Sequence, residues 1–114
     1  RARYPHVPII GFARGAGTQY VDYLAQTGVQ GIAIDSAVPP AWAATQLQGA
    51  AAVQGNLDPI HLLAGGDTME REIVTIRDAL GKGRFIFNLG HGVVPQTPPE
   101  HVAALVAAVR AVSH

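Results

Sequence analysis

The stretch "RFIFNLGHGVVPQTPPEHVAALVAAVRAV", residues 84–112, decides how this chain is read. It opens with a short apolar run, Arg84–Asn88, that shows no clean alternation of apolar and polar residues. Such runs suit strands buried on both faces, as in parallel sheets. It closes with a helical pattern over Pro98–Val112, in which Val102, Leu105, Val106 and Val109 share one face. Thr97 and Glu100 have the spacing of a capping box, and Pro98 stands in the first turn, where a missing N–H is tolerated. Between the two halves lies Asn88-Leu89-Gly90-His91-Gly92. The stretch therefore reads as one strand, one loop and one helix.

The same unit recurs three times upstream. Val7–Ala13 precedes a helix over Thr18–Thr27, with Tyr20, Val21 and Leu24 on one face and Gly28 as the stop. Gly31–Asp35 precedes Pro40–Leu47, whose large apolar residue is Trp42. Ala51–Gln54 precedes Thr68–Leu80, where Met69, Ile73, Ile76 and Leu80 form one apolar stripe, Asp67 and Glu70 complement the helix dipole, and Gly81 fits the end. Four consecutive βα units predict an α/β fold with a parallel sheet and right-handed crossovers. The strand starts fall 24, 20 and 33 residues apart, too irregular for a solenoid. With 114 residues and no linker or low-complexity tract, the chain reads as one small domain.

Composition excludes several classes. Apolar residues make up 48%, enough for a packed core. Formal net charge is zero and the eight Lys and Arg are scattered, so neither nucleic acid nor an anionic membrane surface is expected as a partner. Cysteine is absent, which removes any disulfide framework or thiolate metal site and fits a reducing cytoplasm. No apolar run approaches the ~20 residues of a membrane span. The basic opening "RARYPHVP" leads into no apolar core, so no export signal is expected.

Each strand hands over to polar or glycine residues: Arg14-Gly15-Ala16-Gly17, then Asp35-Ser36, then Gln54-Gly55-Asn56-Leu57-Asp58-Pro59, then Asn88-Leu89-Gly90-His91-Gly92. In parallel α/β folds ligands bind at the carboxyl ends of the strands, so the four clusters predict one functional face. Each cluster alone is also an ordinary turn composition. Gly15-x-Gly17 with Asp35 resembles the spacing of a dinucleotide fingerprint, though Tyr20 stands where the third glycine belongs; a nucleotide-binding, Rossmann-like domain is the alternative. Asn56 sits in a turn-rich loop and could offer its amide to a ligand, while Asp58 before Pro59 reads as a helix or turn opener. Asp35 is either a ligand group or, more commonly for such a residue, an acceptor for a neighbouring loop. His91 is the foremost candidate, because flanking glycines let another molecule approach an imidazole that can donate or accept near neutral pH. His6, His61, His101 and His114 have weaker settings, and no His-x-x-x-His pair in a predicted helix points to zinc.

"QGNLDP" at 54–59 and "FNLGHGVVPQTPPEHVAALVAAVR" at 87–110 resemble the C-terminal part of the uroporphyrinogen decarboxylase family, and "VPIIGFARGAG" and "GIAID" fit the segments before them. The resemblance runs along essentially the whole chain. It implies that these four βα units are the C-terminal half of a (β/α)8 TIM barrel, so that residues 1–114 are a single partial domain. It implies a cytoplasmic, homodimeric carboxy-lyase that removes the carboxyl groups from the four acetate side chains of uroporphyrinogen III, giving coproporphyrinogen III in haem biosynthesis, without metal or organic cofactor. The histidine of the family's Leu-Gly-His-Gly motif falls on His91, which is thereby assigned to substrate binding and catalysis. The family's other recognised site residues, its N-terminal arginines, an aspartate facing the pyrroles, a tyrosine and a serine, belong to segments upstream of Arg1. Many members carry Asp-Trp where this chain has Asp35-Ser36, which removes an aromatic role at position 36. Corrinoid-dependent methyltransferases of the same superfamily bind zinc through cysteine and histidine; a chain without cysteine departs from them. The isolated 114-residue chain is expected to be inactive.

Overall fold

The computed structural model describes residues 6–13 and 15–111. Its four strands are β1 (Ile10–Phe12), β2 (Gly31–Ala33), β3 (Ala52–Leu57) and β4 (Phe85–Leu89). The helices are α1 (Tyr20–Thr27, entered through a 3-10 turn over Gly17–Gln19), α2 (Pro40–Gln46), α3 (Pro59–Ala64), α4 (Gly66–Leu80) and α5 (Pro99–Ala111). All strand pairs are parallel and the sheet order is β1-β2-β3-β4. The chain thus has the predicted α/β fold with a parallel four-stranded sheet.

Sequential order decides where the core lies. A parallel crossover has one preferred hand, so strands that add in one direction send every helix to the same face. The core is a single cluster between that face and the helices, in which Ile32 and Val53 of the sheet meet Tyr20, Leu47, Leu62, Ile73 and Leu80. Each such fully buried large aliphatic side chain contributes roughly 1.5–3 kcal/mol. The predicted stripe of α4 is confirmed: Met69, Ile73, Ile76 and Leu80 are all buried. Gly28 ends α1 in the left-handed conformation with φ 64°, which a residue without Cβ adopts at no steric cost.

The other sheet face differs from expectation. Ile10, Phe12 and Ile86 are 49%, 47% and 45% exposed, because no described helix crosses to their side. The strands are apolar on both faces, yet only one face is covered. Val21, Val102 and Val106 were assigned to buried stripes and are exposed, while Leu24, Leu105 and Val109 of the same helices do pack on the core.

Three local features also depart from the sequence reading. Residues 54–57 continue β3 rather than forming a loop, since their backbones pair with Ile86–Leu89. The turn chemistry begins only at Asp58, whose carboxylate accepts the Ile60 N–H at 3.0 Å and caps α3, a helix the spacing did not predict. Finally, α5 starts at Pro99, and the Thr97 hydroxyl is buried without a partner, so the capping box does not form. His101 of α5 ties this helix to α3 instead, with Nδ1 2.9 Å from the Leu62 carbonyl oxygen. Its ring occupies the space a side chain at Gly65 would need.

One polar network is built into the core. Tyr20 is fully buried, its hydroxyl 3.3 Å from Asp35 Oδ2 as donor and 3.2 Å from the Asp35 N–H as acceptor. Burial, reinforced by the neighbouring Asp35 carboxylate, pushes the phenol up from 10.0 to about 12. The fold therefore holds this proton more tightly than the unfolded chain does. That contribution is whole below pH 10 and is lost as pH rises through about 12. It amounts to something on the order of 2–3 kcal/mol.

Two outcomes are expected. Denaturation profiles should show stability falling between pH 10 and 12, and Tyr20→Phe should flatten that part of the profile while costing about 1–2 kcal/mol at neutral pH. A bare apolar face between two unpaired edge strands should make the isolated chain self-associate. Light scattering should then show a mass that rises with concentration; a monodisperse monomer with strong amide protection would contradict this.

Candidate functional site

The carboxyl ends of the four strands lie together, as parallel pairing in chain order demands, and the sequence-predicted residues divide there into two groups. Asp35 and Asn56 are 3% and 4% exposed and act within the protein. One Asp35 carboxylate oxygen accepts the Gly15 N–H and the Tyr20 hydroxyl, and the other accepts the Ala37 N–H at 3.1 Å. Asn56 donates through Nδ2 to the carbonyls of Asp35 and Val38, at 2.9 and 2.7 Å. The loop from β2 to α2 is thus clamped from both sides, by the β1–α1 loop through Asp35 and by β3 through Asn56. Asp35 takes the loop-acceptor role foreseen for it. The Asn56 amide nitrogen is committed to the loop rather than offered to a ligand, while its Oδ1 is buried without a partner. Arg14 lies outside the described residues.

His91 belongs to the second group. The Gly90 N–H donates to the Leu57 carbonyl at 2.8 Å, carrying the β3–β4 ladder one residue past β4. The chain then turns, and a Cβ at Gly90 would run into the backbone nitrogen and hydroxyl of Ser36. Gly90 is therefore required by the clamped β2–α2 loop beside it. Gly92 meets nothing and leaves open space. The half-buried His91 ring has its Nδ1 covered and unpartnered. It lines a concavity of about 250 Å³ on the bare side of the sheet, together with Phe12, Gln54 and Asn88.

Gln54 and Asn88 stood inside the strand-end clusters but were not singled out as candidates. Their signal was a polar amide in an otherwise apolar strand. Asn88 Oδ1 accepts the Leu89 N–H at 2.8 Å, and its NH2 donates to no described residue. A larger, shallow depression of about 610 Å³ lies on the outer side of α4, around Asp67, Glu70 and Arg71, and contains none of the strand-end residues. Among the described residues no group of three or more His, Cys, Asp and Glu could hold a metal ion, and no helix is long and apolar enough to cross a membrane.

The geometry does not support a dinucleotide site. Such sites use the crevice where strand order reverses, and this sheet has no reversal. Asp35, the residue that would meet a ribose, is instead bonded to the Gly15 loop itself.

Comparison with known proteins identifies the family. The family profile described as "Uroporphyrinogen decarboxylase (URO-D)" matches residues 1–112. Among similar curated proteins, the uroporphyrinogen decarboxylase of Rhodospirillum rubrum is 55% identical over 107 residues, covering 94% of this chain and 31% of that protein. That of Granulibacter bethesdensis is 51% identical over 112 residues, covering 98% and 33%. That of Mesorhizobium japonicum is 54% identical over 110 residues, covering 96% and 32%. The chain spans about a third of the length of these relatives. A parallel α/β sheet wound in one direction, a Gly-His-Gly loop at its last strand and a profile match over nearly every residue lead to one conclusion: this chain belongs to the uroporphyrinogen decarboxylase family.

Proposed function

We propose that residues 1–114 are the C-terminal half of a (β/α)8 barrel, and that the full-length protein decarboxylates uroporphyrinogen III to coproporphyrinogen III. The observation that carries the reading is His91, on the strand-end concavity of the sheet's bare face, in a chain of this family. One-sided winding supports the barrel half, because a sheet with all its helices outside and an apolar inner face suits closure by further strands. The relatives are long enough to supply them. The same reading takes the protein as a cytoplasmic homodimer, which the family resemblance favours and sedimentation of the full-length protein would check.

In each of the four reactions the bond between an acetate methylene and its carboxylate breaks and CO2 leaves. The electron pair passes into a pyrrole protonated at its ring carbon, a proton then takes the place of the carboxylate on the methylene carbon, and the ring carbon gives up its added proton to restore the pyrrole. What the protein supplies is placement of a large polyanion and polar contacts to charge as it moves. His91 offers one ring nitrogen to the concavity while the other is covered, so its contact with substrate is directional. Much of the site lies on the part of the barrel this chain does not contain, and the chain alone should show no turnover.

In the full-length protein, His91→Asn should lower kcat/KM by roughly tenfold or more and change the distribution of partly decarboxylated intermediates, read by chromatography of the oxidised porphyrins. Unchanged kinetics would sink the role given to His91. Gly90→Ala should act on the same site indirectly, since its Cβ must displace either the Gly-His-Gly loop or Ser36. It should reduce activity while destabilising the protein by about 1–3 kcal/mol, measured by denaturant titration.

A further inference from the structure

The site face carries two amides whose NH2 groups donate to no described residue. Gln54 and Ile86 are register partners, and Asn88 lies two residues beyond Ile86 on the same side of β4. Both amides line the concavity that holds His91. The Gln54 side chain is half-buried and makes no hydrogen bond to any described residue, and the Asn88 oxygen accepts the Leu89 N–H while its NH2 group donates to no described residue. Phe12 completes the wall, and no cationic side chain lines it among the described residues. Polar groups on the inner face of a closed barrel must find partners, since an unpaired buried amide costs about 1–3 kcal/mol.

We propose that Gln54 and Asn88 are further substrate-binding residues, which together with His91 donate hydrogen bonds to an ionised carboxylate of the porphyrinogen. This rests on the proposed function above. The amide NH2 groups supply N–H donors and the imidazole a further one, matching the acceptor-only oxygens of a carboxylate. The shared chemistry is a carboxylate, and its source is an acetate or a propionate of the macrocycle.

The test uses a protein of the relatives' full length carrying this segment, with Gln54→Met, Gln54→Glu and Asn88→Asp. Binding of uroporphyrin III and coproporphyrin III is followed by fluorescence, beside steady-state turnover and Tm. Removing the donor in Gln54→Met should weaken uroporphyrin binding roughly fivefold to tenfold, and the added like charge in Gln54→Glu and Asn88→Asp should weaken it more than tenfold, with Tm within about two degrees of the parent. Loss confined to uroporphyrin identifies an acetate, and equal loss with coproporphyrin a propionate; either supports the assignment. Unchanged affinity in all three variants overturns it, as does a fall in Tm without a change in affinity, which would assign the amides to internal partners. If a charged variant does not fold, Gln54→Met decides alone. A parent without turnover would overturn the decarboxylase reading instead, and the porphyrin affinities would still decide whether these amides bind carboxylates.

Discussion

Four strands paired in chain order, all parallel, leave the crossover helices no choice of face. The hydrophobic core then forms on one side of the sheet only, around Ile32, Val53 and the buried stripe of α4. Everything else follows from this winding. The carboxyl ends of the strands gather at one end, so four loops distant in sequence become neighbours. The opposite sheet face, with Ile10, Phe12 and Ile86, is left apolar and bare.

The loops at that end are held by a few buried hydrogen bonds rather than by apolar packing. Asp35 and Asn56 fix the β2–α2 loop, and that loop presses Ser36 against Gly90. The position of His91 therefore depends on residues two strands away. A charge as buried as Asp35 is costly unless its hydrogen bonds are made. It accepts from the Gly15 and Ala37 backbone and from Tyr20, and the phenol it faces keeps its proton far into the alkaline range. The geometry of the candidate site is in this sense set by the core.

Much of this was legible beforehand. The α4 stripe was, because four apolar residues at helical spacing leave one solution. The place of His91 just past the last strand was, because a strand pattern and two glycines bracket it. The extent of β3 was not: Gly55, Asn56 and Asp58 have turn chemistry, but pairing with β4 overrides local preference as far as Leu57. The Thr97–Glu100 capping box matched in spacing and failed in structure, because two prolines displaced the helix start. Gln54 and Asn88 were passed over because their meaning depends on which face of the sheet they occupy, and strands apolar on both faces give no alternation from which to read it.

The local order of elements, the α/β class, the zero net charge and the absence of cysteine are properties of the sequence itself, since each depends on neighbours within a few residues or on composition. The tertiary structure alone decided the division of labour among the polar strand-end residues. Whether Asp35, Asn56, Gln54 or Asn88 faces the core or the bare side depends on register between strands twenty to thirty residues apart, and a hydrogen bond reached across that separation leaves no trace in local pattern. The same holds for Gly90, whose missing side chain reads as space for a ligand until Ser36 is found filling it.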